Sequence, residues 1–123
     1  SKLIKYEESQ MEEKHFFATH TFVSDEARKE YLTPPEEIKN EKKWAEDAIG
    51  EYARCMQTWC GNDEFLYCHW IAKSEKDVYR QLEEWNFEGR IVNTMVQEIH
   101  QFMSGYRESE EILMSYPEDG MYW

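Results

Sequence analysis

Residues 64–72, with the sequence EFLYCHWIA, decide the fold, because they form a strand-like run that carries large or apolar side chains in both alternating sets. Successive side chains of a strand point to opposite faces. The two sets are Phe65, Tyr67, His69 and Ile71 on one face and Leu66, Cys68, Trp70 and Ala72 on the other. Neither set suits bulk water, and a chain of 123 residues has helices for one face of a small sheet but little more. The run therefore predicts that a partner subunit or a ligand covers the second face.

Three further stretches have the composition of strands. His15–Phe22 is rich in aromatic and β-branched residues. Arg54–Cys60 is followed by the turn residues Gly-Asn-Asp, which predict a hairpin into the run. Asn93–Met103 is predicted as the last strand.

Two helix signals lie between the first two strands. A short helix is predicted at Asp25–Leu32, and a longer one is predicted to begin at Thr33, because two prolines and a glutamate follow in the pattern of a capping box. The apolar stripe of the longer helix consists of Ile38, the alkyl stem of Lys42, Ala45, Ala48, Ile49 and Tyr52. We expect this stripe to pack against the sheet.

Another capped helix follows the run. Ser74 is its expected cap, Val78, Leu82 and Trp85 are expected to turn inward, and the helix is expected to end near Gly89. The order of elements is thus strand, helix, strand, strand, helix, strand.

One compact domain suits this length. We place it at residues 15–103, after an amino-terminal arm at residues 1–14 and before a helix, Tyr106–Met114, and an acidic tail within residues 104–123. With 41% hydrophobic and 15% aromatic residues, the chain has enough apolar material for a core.

Charge and cysteine content narrow the partners and the location. A formal net charge of −12 repels a phosphate backbone and an anionic membrane surface, so we expect neither nucleic acid nor membrane as a partner. Cys55, Cys60 and Cys68 are odd in number and lack a CxxC spacing, which is typical of reduced thiols and predicts a cytoplasmic protein.

The order of elements is that of the ferredoxin-like split βαβ fold, an α+β fold in which a four-stranded antiparallel sheet has its helices on one face. The chain resembles the dimeric α+β-barrel superfamily. Its segments HFFATHTF, at residues 15–22, and FLYCHWIAKSEKDVYRQLEEW, at residues 65–85, are similar to small ferredoxin-like domains of unknown function, some described as nickel-binding. The resemblance implies a homodimer in which two helix-free faces enclose a cavity.

Strand parity selects the candidate site, if the aliphatic residues of each strand face the helices. The residues expected toward the helices are Met56, Leu66, Cys68, Met95, Ile99 and Met103. The candidate ligand-binding residues that remain are Trp59, Tyr67, His69, Glu98 and His100. Cys68 is expected to be a buried thiol, because its neighbour His69 points to the other face.

Three histidines are candidate metal ligands: His20, His69 and His100. Imidazole and carboxylate suit nickel, zinc or iron, so a divalent transition metal is the cofactor that this set would take. The spacing shows neither HExxH nor paired CxxC, which leaves open that the histidines are satisfied in a core or interface. His20 shares the parity of Phe16 and Ala18 and would equally suit the helix-covered side. The resemblance implies that haem, where a dimeric barrel holds it, is bound by a histidine of the second helix. The helix after Ser74 has no histidine, so no haem is expected.

Three functions fit this pattern. The first is a small homodimeric binding protein whose cavity between the sheets takes a small molecule or a metal ion. The second is a small cofactor-independent enzyme of the barrel monooxygenase or isomerase type, with His69 or His100 as base and an apolar slot formed by Trp59, Tyr67, Trp70 and Phe102. The third is a structural dimer or adaptor that binds through its acidic tail.

Overall fold

The computed structural model describes residues 13–108 and residue 110. In chain order the elements are β1 (Lys14–Phe22), α1 (Asp25–Leu32), α2 (Glu41–Asp47), β2 (Ala53–Cys60), β3 (Phe65–Ala72), α3 (Glu75–Glu84) and β4 (Val92–Ile99). The four strands form one antiparallel sheet in the order β2-β3-β1-β4. The chain is therefore a small α+β fold.

The core lies between the helices and one face of this sheet, which we call the helix-covered face. It contains Phe16, Ala18, Cys68, Trp70 and Val96 from the strands, together with Val78 and Leu82 from α3 and Ala48 at the end of α2. A second group joins Ala27 of α1 to Val92 and Ile91. The strands β1 and β3 and the hairpin from β2 into β3 are confirmed, because alternation places every second side chain of the run in this core.

The opposite face, which we call the open face, carries no buried residue. Its members are His15, Phe17, Thr19 and Thr21 of β1, Gln57 and Trp59 of β2, Phe65, Tyr67, His69 and Ile71 of β3, and Asn93, Met95, Gln97 and Ile99 of β4. The expected division of the run holds: Leu66, Cys68, Trp70 and Ala72 are buried, whereas Phe65 and Tyr67 are exposed.

The prediction of a long helix from Thr33 is wrong. Thr33 instead ends α1, where its hydroxyl donates to the carbonyl of Lys29 at 2.6 Å. It adopts an extended conformation with φ −75° and ψ 120°, as a residue before proline prefers. Asn40 is the true cap of α2, and its side chain accepts from the backbone N–H of Lys43 at 2.9 Å.

The apolar stripe predicted for that helix is wrong for the same reason. Ile38 lies outside a helix and is 80% exposed, and Ile49 follows α2 and is 59% exposed. Ala48 is buried as expected, but the large side chain that packs on the core from α2 is Trp44. Because α2 begins at Glu41 rather than near Thr33, its contact with the core is made by Trp44 and not by the predicted isoleucines.

The helix α3 is confirmed in its cap and its inward face, but not in its length. Ser74 accepts from the backbone N–H of Asp77 at 3.3 Å, and Val78 and Leu82 are buried. The helix ends at Glu84, and Trp85, just after it, is 41% exposed although its ring contacts the buried ring of Trp70. Asn86 has a φ of 55°, the left-handed conformation that commonly terminates a helix.

The parity predicted for the last strand is wrong. Met95 and Met103 are 71% and 76% exposed, whereas Val92 and Val96 fill the helix-covered face. The strand begins at Val92 and ends at Ile99, so its β-branched valines, not its methionines, face the core.

Met56 is the remaining exception on the strands. A bulge between Cys55 and Gln57 leaves it 37% exposed instead of facing the helices, and Cys55 and Thr58 take that side.

Most of the predicted arm and tail lies outside the described residues. Of the predicted helix Tyr106–Met114, only residues 106–108 and 110 are described, and Tyr106 and Arg107 belong to a turn. No helix among the described residues has the length and apolar character needed to cross a membrane.

Candidate functional site

The open face carries a row of aromatic rings that contact one another across three strands. The ring centroid of Phe17 on β1 lies 5.8 Å from that of Tyr67 on β3 and 6.0 Å from that of Trp59 on β2. Phe65 stacks on Tyr67 at 6.3 Å. Trp59, Phe65 and Tyr67 are nevertheless 42%, 40% and 37% exposed. These rings form an apolar surface on the open face, which also carries exposed Met95 on β4.

A histidine pair lies on the same face. His15 Nδ1 and His69 Nε2 are 3.0 Å apart, so one imidazole donates a hydrogen bond to the other. Phe102, just beyond β4, covers both rings, with centroids 5.2 Å from His15 and 4.9 Å from His69. The antiparallel register brings the pair together: His15 lies opposite Ile71, two residues from His69, so the two histidines are diagonal neighbours on the same face.

Both imidazoles of this pair favour the neutral form. Burial, with a smaller contribution from His15, lowers the pKa of His69 to about 4. Burial also lowers the pKa of His15, against an opposing effect of Glu13. At neutral pH the pair therefore presents uncharged imidazole, the form that accepts a proton or binds a metal.

Sequence reasoning selected His69 and missed His15. Its strand was predicted correctly, but the contact with His69 depends on the pairing of β1 with β3, which no spacing within β1 reveals. The parity of His15 with Phe17, opposite to that of Phe16 and Ala18, was the available signal.

The other predicted ligand-binding residues divide between the two faces. Trp59 and Tyr67 share the open face with His69. Glu98 lies opposite Phe16 in the β1–β4 register, which places it on the helix-covered side. There its carboxylate is 3.5 Å from Lys14 Nζ and 3.4 Å from Nε2 of His100.

The sheet separates His20 from His69, another of the candidate metal ligands. It is fully buried on the helix-covered face, where its Nδ1 lies 2.6 Å from Thr94 Oγ1. The Thr94 hydroxyl also contacts the Glu88 carboxylate. Within residues 13–108 and 110, no group of three or more histidine, cysteine, aspartate or glutamate side chains is arranged to hold a metal ion.

A cavity of about 260 Å³ lies on the helix-covered side. Its aromatic wall consists of Tyr31, Trp44, Trp70, Trp85 and Phe87, and Cys55, Thr58 and Cys68 line it from the sheet. The slot predicted from Trp59, Tyr67, Trp70 and Phe102 is thus divided, because Trp70 faces this cavity rather than the open face. The indole N–H of Trp70 has no hydrogen-bond partner among the described residues.

The thiols of this cavity form a small network. Thr58 Oγ1 lies 3.6 Å from Cys55 Sγ and 3.4 Å from Cys68 Sγ. A hydrogen bond from the Cys68 thiol lowers the pKa of Cys55, whereas this bond and burial raise the pKa of Cys68. Cys55 is therefore the more acidic thiol, and Cys68 is the buried thiol that the sequence predicted.

Comparison of the chain with models of protein families, with curated proteins and with solved structures finds no match.

Proposed function

We propose that this protein is a homodimeric binding protein in which two open faces meet and enclose a chamber beside the histidine pair. The observation that carries the proposal is the aromatic row: Phe17 contacts the rings of Trp59 and Tyr67, and Phe65 stacks on Tyr67. Trp59, Phe65 and Tyr67 nevertheless remain 37–42% exposed. A contiguous apolar patch of this kind typically marks an interface or a ligand site. A second copy of the same face would cover it symmetrically.

The topology supports this proposal. Sheet order β2-β3-β1-β4, with all three helices on one face, is compatible with a ferredoxin-like split βαβ fold that carries one additional short helix. Such a fold leaves one sheet face without helices, and pairing of those faces would give an α+β barrel.

The ligand of the chamber follows from its wall. Neutral imidazoles of His15 and His69 lie beside Phe102 and Tyr67, which suits a small ligand with an apolar body and one polar group. Neutral imidazole also binds divalent transition metals. A metal ion would have to replace the hydrogen bond between His15 Nδ1 and His69 Nε2, and the second copy would supply the same two side chains.

Light scattering of the full chain at micromolar concentration tests the dimer. We expect a particle of about 30 kDa, twice the 15.0 kDa of one chain. A particle of 15.0 kDa would contradict the proposal.

Thermal denaturation with Ni²⁺ or Zn²⁺ alone tests whether the chamber takes a metal. Binding to the native state raises the melting temperature with metal concentration. The double variant His15→Ala with His69→Ala should lose that rise, and His100→Ala, which changes an exposed histidine, should keep it. A rise that survives in the double variant would exclude this pair as the ligands, and no rise with either ion would restrict the chamber to an organic ligand.

One observation also favours the enzyme alternative. His69 is unprotonated at neutral pH because its pKa is lowered to about 4, and it lies 3.0 Å from a second imidazole, so it would act as a weak general base toward a bound substrate. A turnover that depends on His69 should keep its rate down to about pH 5 and fall near pH 4. A rate that falls instead near the ordinary histidine value of about 6.5 would contradict this role.

A further inference from the structure

We propose that the cavity on the helix-covered side binds a small, uncharged, planar ligand of one or two aromatic rings. This site is separate from the chamber proposed above, because the sheet lies between them. Its volume of about 260 Å³ sets the size of the ligand. An apolar cavity of about 150 Å³ holds one benzene ring, so this cavity has room for roughly two fused rings.

The wall favours aromatic ligands. Trp44 comes from α2, Trp70 from β3 and Trp85 from the end of α3, so three separate elements each contribute an indole. The rings of Trp70 and Trp85 already contact each other at 5.8 Å in a tilted arrangement. Aromatic rings prefer such offset or tilted neighbours, and sulfur atoms such as those of Cys55 and Cys68 pack well against ring edges.

The polar groups of the wall favour an uncharged ligand. Thr58 already lies within hydrogen-bonding distance of both thiols. Lys39 Nζ is 2.7 Å from Asp47 Oδ2, and Asp47 also accepts a hydrogen bond from Lys43. An ionic ligand would therefore have to break an existing ion pair or enter the cavity without a counter-charge, which is costly.

The cavity reaches the surface of the described part of the chain. Trp85 is 41% exposed and Lys39 is an exposed residue, and both belong to the wall. A ligand can thus enter beside α2 and the end of α3 without unfolding the sheet.

Calorimetric titration of the full chain with three probes tests the ligand class. The probes are 2-naphthol, its saturated counterpart decahydro-2-naphthol, and the anion naphthalene-2-sulfonate. We expect 2-naphthol to bind at least about tenfold more tightly than either of the others. The saturated probe loses the contacts between aromatic rings, and the anion must enter the cavity without a counter-charge. Absence of 2-naphthol binding at millimolar concentration, or equal binding of either other probe, would overturn the proposal.

A matched pair of variants tests the location. Cys55→Leu enlarges a side chain in the wall, whereas Cys60→Leu makes the same change at an exposed thiol near the end of the same strand. We expect Cys55→Leu to weaken 2-naphthol binding at least about tenfold, because it fills the cavity, and Cys60→Leu to leave it unchanged. Equal affinities in the two variants would place the ligand elsewhere and overturn the proposal.

Thiol labelling of the unmodified chain gives the same test without relying on the folding of a variant. With a disulfide reagent such as dithiodipyridine, saturating 2-naphthol should slow the modification of Cys55 at least about fivefold, because the ligand shields the thiol. Cys60 serves as the internal reference and should keep its rate. Equal rates at Cys55 with and without 2-naphthol would overturn the proposal.

Discussion

His20 is a histidine that the fold accommodates in its neutral form. The Thr94 hydroxyl donates a hydrogen bond to the Glu88 carboxylate. Its oxygen must therefore accept the hydrogen bond from the Nδ1–H of His20. Its Nε2 has no hydrogen-bond partner among the described residues. Burial lowers the pKa of His20 from 6.5 to about 4. The role that structure gives to His20 is thus to join β1, β4 and the turn before β4, apart from the histidine pair on the open face.

This pKa makes the stability depend on pH. Between pH 6.5 and 4 the unfolded chain binds a proton at His20 that the folded chain does not, so the free energy of unfolding falls as the pH is lowered through this window. Across the whole window the free energy of unfolding should fall by about 3 kcal/mol through His20. His20→Asn keeps a donor but does not titrate, so urea unfolding at several pH values should show a smaller loss for this variant than for the parent. Parallel profiles for the two proteins would contradict the role of His20, and His100→Asn serves as the exposed control.

Gly50 is the position where a missing side chain matters most. A Cβ at residue 50 would overlap the carboxamide of Gln81. Gln81 is fully buried, and its Oε1 accepts from the backbone N–H groups of Tyr52 at 2.7 Å and Ala53 at 3.3 Å. The glycine therefore lets α3 hold the start of β2.

We expect Gly50→Ala to lower the free energy of unfolding by about 2–3 kcal/mol, because Gln81 must move and leave buried N–H groups without an acceptor. Gly61→Ala is the control, since a Cβ there meets no heavy atom within 4 Å among the described residues. Chemical denaturation of both variants measures the difference, and equal stabilities would show that Gln81 gives way without cost.

At the scale of the elements, the sequence predicts a strand well where either choice of inward face would give a packed core. In β3 both parities are apolar, so whichever set faced the helices would fill the core, and the hairpin turn fixes its pairing with β2. In β4 either Met95 with Ile99 or Val92 with Val96 could face the helices. Strand alternation alone does not choose between these two sets. The helix after Thr33 failed because two prolines keep the preceding backbone extended, and the cap moves to Asn40.

The orientation of β4 can be tested with a matched pair of neighbours. In the Trp59→Glu background, which should keep the copies apart, Val96→Lys places a charge in the core and should lower the free energy of unfolding by about 3–4 kcal/mol. Met95→Lys in the same background, on the open face, should cost about 1 kcal/mol or less. Val96 is 8% exposed and Met95 is 71% exposed. Thermal or urea unfolding of the two variants decides the matter, and a larger loss for Met95→Lys would reverse the orientation of the strand.

At the scale of the whole molecule, the sequence predicts part of the open-face site but not the cavity on the helix-covered side. Trp59, Tyr67 and His69 meet on one face as strand alternation predicts. The cavity on the other side is formed by residues from three helices, two strands and the loops after them, so its existence depends on packing rather than on any local spacing.

Charging the aromatic row should separate the proposed dimer. Trp59→Glu places a carboxylate among the rings of Phe17 and Tyr67, and we expect light scattering to report one chain of 15.0 kDa instead of two. Ile38→Glu is the matched control, because Ile38 is 80% exposed and lies outside the open face. An unchanged mass for Trp59→Glu would show that the row is not the contact between copies.

The bulge between Cys55 and Gln57 has a consequence for assembly. Because the sheet order is β2-β3-β1-β4, β2 is an edge strand. The segment at residues 48–50 pairs with the start of this edge, where Cys55 N–H donates to the Ala48 carbonyl and Gly50 N–H donates to the Ala53 carbonyl. The rest of the edge would otherwise offer a template for a strand from another molecule. The extra residue bends that edge and breaks its regular repeat of donors and acceptors. Lateral growth into fibrils is thereby discouraged on this side of the sheet.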